Sequence, residues 1–360
     1  MGKKAEEAFR WHFEPGKDLK DYRVRSGNEA PERTPTQTGT DMRITPEELL
    51  NFGIFHPHAV DQYMVAMTKK SRFVHYCSAE TAFHIVRSNR MRLRNAKVMN
   101  DFMEIEHGSS CLANAWDSPD GDRFRQTIDG LFEGISQEIA DLLRGWVPLF
   151  GRETYISCLS EHDSDEDDLG RLSMWRAYGG PSGVAVVLNP EAFYSSSTVL
   201  GVVSSPVAYL DERGFVTQFN RVTDGIKTHQ DMLKANGRQA LINSLFNAFR
   251  FAVLCTKHPG FKEEREWRVI FDPRFSTEHK LVKSIELIRG VPQVVYSIPF
   301  KDYPEERFVG AELPKLVDRI IIGPTEFPDQ LREATVALLE EAGVPDADKK
   351  VVCSTIPLRQ

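Results

Sequence analysis

The chain has 360 residues, 41% of them apolar and 22 of them Phe, enough for one large domain with a substantial core or for two modest ones. Its formal net charge of −7 argues against broad non-specific nucleic-acid binding but leaves room for a local basic patch. No run reaches the ~18 consecutive apolar residues of a membrane span, and five widely spaced cysteines without a C-x-x-C pair (Cys77, Cys111, Cys158, Cys255, Cys353) argue against a zinc ribbon and fit reduced thiols in a cytoplasm.

The charged start, Met1-Gly2-Lys3-Lys4-Ala5-Glu6-Glu7, has no apolar leader, and Glu6 stands where a myristoylation signal has Ser or Thr. Residues 1–44 are polar and rich in Pro, Gly and Thr, and read as a flexible or peripheral arm on a single α+β domain of residues 45–360. Thr45-Pro46-Glu47-Glu48 is a helix start, with a Thr cap, Pro at the first position and acids at the positive end of the dipole. Arg72–Cys77 reads as a strand, Ser78 as the cap of the next helix, and Met91–Arg94 as a second short strand. From Arg123 to Trp146 an apolar stripe (Phe124, Ile128, Leu131, Ile135, Ile139, Leu142) predicts one long amphipathic helix.

Strand Tyr155–Ser160 is followed by an acidic run, Glu161–Asp168, which lacks the Gly and final Glu of a calcium loop and reads as a solvated, mobile segment. Leu172–Tyr178 predicts a short helix and Val184–Leu188 a central strand, apolar throughout. Further strand is expected at 202–203, 206–210, 266–271, 294–298 and 351–353. Helices are expected at 241–254 and 329–342, with Ile320-Ile321-Ile322 leading into Gly323-Pro324 between them. Strands come in clusters rather than in strict βαβ alternation, which predicts a mixed, mostly antiparallel split sheet flanked by helices.

The order of motifs is familiar. His75-Tyr76 precedes a helix, Asn100-Asp101 with Glu104 follows, then Cys158-Leu159-Ser160, Met174-Trp175-x-x-Tyr178-Gly179 and Gly183 before a strand. Lys257-x-x-x-Phe261-x-x-Glu264-x-Glu266-x-Arg268 and Ile320–Pro324 complete it. In this order residues 72–358 resemble the bacterial family called domain of unknown function 2971, whose name carries no activity. More distantly, His or an aromatic on a first strand, an aromatic middle segment and Glu-x-Glu on a late strand resemble the ADP-ribosyltransferase fold.

That second resemblance implies chemistry at the glycosidic bond of NAD. Glu264 and Glu266, two apart, would share a strand face with Arg268, while Arg265 and Trp267 point the other way. A carboxylate there binds ribose hydroxyls, stabilises an oxocarbenium-like transition state and deprotonates the acceptor. The plainer alternative is a surface ladder of acids and bases. His75 and Tyr76 would supply a ring for nicotinamide and a polar group for ribose or diphosphate, and Trp175 with Tyr178, i and i+3, would wall the base; each pair is also what core packing looks like. Asn100 and Asp101 follow five cations in eleven residues (Arg87, Arg90, Arg92, Arg94, Lys97), suited to a diphosphate or nucleic-acid phosphate, or simply to a solvated face and a helix cap.

The expectation is therefore a cytoplasmic, NAD-dependent ADP-ribosyltransferase-like enzyme. Glu264 and Glu266 would be catalytic, and His75, Tyr76, Asn100, Asp101, Trp175, Tyr178 and Arg268 would bind NAD, which is a substrate here; no metal is expected. Its acceptor would be nucleic acid or protein, its setting a toxin or anti-phage defence system with an antitoxin or defence-complex subunit as partner, and no membrane is involved. The alternatives are a metal-dependent nuclease or phosphodiesterase using Glu264, Glu266, Asp101 and Mg²⁺, and a non-catalytic binding module of a defence complex.

Overall fold

A computed structural model describes residues 46–98, 102–288 and 290–357. The N-terminal arm and the proposed NAD-binding pair Asn100 and Asp101 lie outside the described residues. The chain opens with α1 (Pro46–Phe55) and α2 (Pro57–Lys69), each beginning at a proline whose missing N–H costs nothing in a first turn. Lys70, left-handed at φ 54°, ends α2 by donating its N–H to the last turn. β1 (Arg72–Ser78), α3 (Ala79–Ser88) and β2 (Arg90–Asn95) follow without a loop. Ser78 caps α3 by accepting from the Thr81 N–H, and left-handed Asn89 closes it.

α4 (Phe102–Trp116), α5 (Pro119–Asp129) and α6 (Ile135–Glu153) come next. The single helix expected over 123–146 is thus two. Gly134, at φ 72°, breaks the chain, and the Asp129 carboxylate caps the new start by accepting from the N–H and hydroxyl of Ser136. The apolar stripe continues across the break because both helices pack on the same core, where Phe124, Ile128, Ile135 and Ile139 are fully buried.

The remaining elements are β3 (Tyr155–His162), α7 (Leu172–Met174, continuing into a π-turn over Trp175–Gly179), β4 (Gly183–Leu188), β5 (Val203–Pro206), β6 (Ala208–Tyr209), α8 (Glu212–Thr228), α9 (Gln230–Asn236), α10 (Arg238–Leu254), β7 (Thr256–Lys257), β8 (Glu266–Phe271), β9 (Val282–Ile288), β10 (Val291–Pro299), α11 (Leu313–Leu316), β11 (Val317–Ile322), α12 (Pro328–Glu341), α13 (Ala347–Lys350) and β12 (Val351–Cys353). Ten strands form one sheet in the order β12-β11-β4-β1-β3-β2-β10-β9, with β8 on β3 and β5 on β8. Pairing within it is antiparallel except for β11 with β12, and β6 with β7 is a separate parallel pair.

The sheet divides along β3. β8 occupies one edge from Tyr155 to Ser160. On the other edge β2 takes the start (Arg94 opposite Ile156) and β1 the end (Val74 opposite Ser160). The fold is therefore mixed α+β, with a mostly antiparallel sheet flanked by helices, as the clustering of strands predicts. Two main cores form against it. Phe73, Leu93, Val186, Trp267, Val269 and Tyr296 belong to one, and Ile156 and Ile270 pack with α4, α5, α6, α8 and α10 in the other. Alternation along β8 consequently puts Glu266 and Arg268 on the Ile270 side, beneath the helices.

Candidate functional site: a buried carboxylate–lysine–arginine network

Glu264 and Glu266 do meet, but not on one strand face. Glu264 ends a 3-10 turn (Pro259–Glu264), Arg265 is left-handed at φ 43°, and β8 begins only at Glu266. The turn swings Glu264 back so that both carboxylates reach Lys257 on β7. Its Nζ lies 2.5 Å from Glu264 Oε2 and 3.2 Å from Glu266 Oε2. Arg268 Nε donates to Glu266 Oε1 at 2.8 Å, and Arg268 Nη1 donates to the Leu254 carbonyl. The Glu266 N–H donates to Tyr209 Oη at 2.8 Å, and Tyr178 Oη bonds Glu264 Oε1 at 3.2 Å. Lys257 also lies over the Phe261 ring, 4.9 Å from its centroid.

Depth grades along this chain of groups. The Lys257 and Arg268 side chains are 1% exposed and that of Glu266 5%, whereas Glu264 is 13% exposed and Tyr178 stands 38% exposed at the rim. Burial alone raises the pKa of Glu266. The Arg268 and Lys257 charges, with hydrogen bonds from Arg268 and the Cys158 thiol, overcome it and hold the carboxyl at about 2. Glu266 is thus a permanent anion, and its partner cations stay fixed on it. Burial and the Glu266 charge push the Tyr209 phenol well above its ordinary value, so it stays a neutral hydrogen-bonding group.

The other expected site residues are distributed differently. Tyr76 shares the Glu266 face, since Val74, two residues earlier, faces Ser160 and Ser160 faces Glu266 across β1, β3 and β8. Its hydroxyl accepts from the Arg171 N–H at 2.8 Å, and its ring meets Trp175 edge-on at 4.9 Å. Trp175 is fully buried, with its indole N–H on the Leu169 carbonyl. A Cβ added at Gly170 or at Gly323 would stand only 2.6 or 2.7 Å from its ring. The ring is therefore packed closely on both glycines as a core residue. His75 alternates to the opposite face, with Phe73 and Cys77, and bonds the Cys158 carbonyl at 3.0 Å through Nδ1, where β1 and β2 part. Burial lowers its pKa and keeps it neutral.

The acidic run also departs from its expectation as a mobile loop. Arg171 donates to Glu166, to the Glu161 carbonyl and to the carbonyls of Glu263 and Glu264. Arg265 pairs with Asp163 and, at 2.7 Å, with Glu166, and Arg72 reaches Asp167 at 2.7 Å. Glu161, Asp163 and Glu166, which look solvated in sequence, are thus tied to the turn that carries Glu264, and Asp167 is tied to β1. Arg265, read from sequence as the bystander of its segment, fastens that turn.

In the sequence Lys257 and Cys158 stand out only as motif positions, and Tyr209 and Arg171 carry no assigned role. A lysine entering from the apolar run Phe251–Cys255 is a legible sign of burial with a counter-ion. Nothing local marks the other three. Among comparisons with known proteins, a family model described as Protein of unknown function (DUF2971) matches residues 174–269, inside the 72–358 span suggested by motif order and well under half of the chain. That segment contains Tyr178, Tyr209, Lys257, Glu264, Glu266 and Arg268, and leaves out His75, Tyr76, Asn100 and Asp101. No curated protein and no solved structure matches the chain.

Proposed function

We propose that the protein is an NAD-dependent ADP-ribosyltransferase-like enzyme acting on a macromolecular acceptor, nucleic acid or protein. The observation that carries this reading is the meeting of two carboxylates on one buried lysine, with Glu264 at the rim beside half-exposed Tyr178. Glu264 is the carboxylate placed to meet substrate. Glu266, fixed as an anion, holds Lys257, and Lys257 in turn orients Glu264. In the reaction the bond from ribose C1′ to the nicotinamide nitrogen breaks, and nicotinamide leaves with the bonding pair. The acceptor nucleophile then bonds C1′, and its proton passes to Glu264. The fit to NAD rests on this carboxylate end and on Tyr178, because Trp175 is packed into the core and His75 lies on the other face.

The same packing supports no metal at these acids: a divalent cation would have to displace the Lys257 ammonium from both of them. A non-catalytic binding module is the second reading, favoured by the near-complete burial of Glu266 and Arg268, which structural ion pairs share. Incubation with NAD labelled in its adenylate half and a crude lysate tests the proposal. Label should pass to protein or nucleic acid at the same rate with a chelator present. NAD left intact with every lysate moves the binding module to first place, and loss of activity on chelation favours the nuclease class.

A further inference from the structure

β9 is the last strand on its side of the sheet, and among the described residues no strand pairs with its outer edge. Its neighbour β10 pairs with β2 only from Tyr296 to Pro299, so the hairpin from Ser284 to Val295 extends past the body of the sheet. Ile288 and Val291 stand opposite each other at its closed end, which makes them a hydrogen-bonded pair. Alternation then turns the N–H and C=O of Glu286, Ser284 and Val282 toward β10 and those of Leu287, Ile285 and Lys283 outward. Pro292 agrees with this register. It has no N–H to give, and it stands opposite Leu287, where no bond crosses the hairpin.

A bare edge is a template for another strand, and proteins usually guard it with a charge or a proline on the edge itself. On β9 both charges are drawn inward. Lys283 Nζ lies over the Tyr296 ring, 5.8 Å from its centroid. Glu286 takes Arg92 at 3.1 Å, His84 at 3.6 Å and the Ser284 hydroxyl at 3.1 Å. What remains outward is apolar: Ile285 is 77% exposed and Leu287 72%, the highest values among the large apolar side chains described. We propose that this edge pairs with the same edge of a second copy of the chain, antiparallel, about a two-fold axis at Ile285, the midpoint of Val282–Ile288. Ile285 then faces Ile285, Lys283 faces Leu287 and Ser284 faces Glu286, so no like charges meet and every outward N–H and C=O finds a partner. An axis at Lys283 or Glu286 would set like charges opposite each other, which is destabilising. An axis at Ser284 or Leu287 would leave outward groups with no strand opposite. None of these residues belongs to the carboxylate network, so the inference stands whether or not that network is catalytic.

Sedimentation velocity of the full chain across a concentration series tests the assignment. The wild type should pass from monomer to a closed dimer with a Kd on the order of 10 µM, as suits an interface at the low end of the size range. Ile285→Lys, which sets two ammonium groups at the axis, should be monomeric throughout. Phe327→Lys, which alters an exposed ring at the start of α12, should dimerise like the wild type. Mild oxidation of Ile285→Cys should yield a disulfide joining position 285 of one copy to position 285 of the other, because the ~5.5 Å Cα spacing of a hydrogen-bonded pair suits the bond. A dimer that survives Ile285→Lys, or a crosslink from position 285 to a different cysteine, overturns the proposal. So does a wild type that stays monomeric up to about 300 µM, well above that Kd, which leaves the edge to a strand of a different protein. The wild-type series decides even where a variant fails to fold.

Discussion

Glu266 and Glu264 differ by two positions in sequence and by a great deal in physics. Glu266 is enclosed with Lys257 and Arg268, so removing its charge leaves two buried cations poorly compensated. Breaking a buried pair from one side typically costs about 3–5 kcal/mol. Glu266→Gln should therefore lower the unfolding free energy by that much, seen as a lower urea midpoint, whereas Glu264→Gln, nearer solvent, should cost little stability. Urea titrations of the two variants check the contrast. The pH dependence has a definite sign. The folded pKa of Glu266 is depressed from 4.5 to about 2, so its contribution to stability is complete above about 4.5 and is lost as pH falls toward 2. The shift corresponds to about 3 kcal/mol. Acid titration of the wild type should show a loss in that window that Glu266→Gln no longer shows; an identical acid limb in both would place the proton uptake elsewhere.

At the scale of elements, the turn before β8 governs whether the site exists. Its geometry was illegible in sequence because Arg265 adopts a left-handed conformation that non-glycine residues rarely take, and strand alternation was the natural expectation for Glu-x-Glu. Most of β8 itself was legible, since Glu266–Phe271 alternates between two cores as a buried strand should. The helix break falls at Gly134, which the apolar stripe crosses without interruption, so the pattern favours one helix. The acidic run shows the reverse failure: its charges look solvated because Arg72 and Arg265 are remote in sequence and nothing local marks Arg171 as a partner. This ordering predicts a coupling. Arg171→Gln and Arg265→Gln together should release residues 161–168 to limited proteolysis and reduce turnover with it, while leaving the global urea midpoint nearly unchanged. Unaltered cleavage with full turnover would mean that the clasp does not position Glu264.

Across the whole molecule, the mixed α+β class and the antiparallel sheet were readable from strand clustering, because local apolar patterns report strands even when pairing partners are far apart. The division of the sheet along β3 has a long-range cause, the sharing of one edge by β1 and β2, which no local pattern displays. Long-range pairing also decides the faces. It gathers Tyr178, Lys257, Glu264, Glu266 and Arg268 into one network under the helices and turns His75 away from it. The family match over 174–269 contains those five residues, so the stretch that resembles other proteins and the polar network coincide.

The proposed chemistry turns on Glu264, oriented by Lys257, acting on NAD. The most direct measurement compares NAD consumption and label transfer by the wild type and Glu264→Gln in the same lysate, with circular dichroism and the urea midpoint as folding controls. Turnover is expected for the wild type, with a loss of ~10²–10⁴-fold in the variant, the usual worth of a lost general base, and no change in fold. Wild-type turnover retained in Glu264→Gln, or no NAD consumed by the wild type at all, would contradict it.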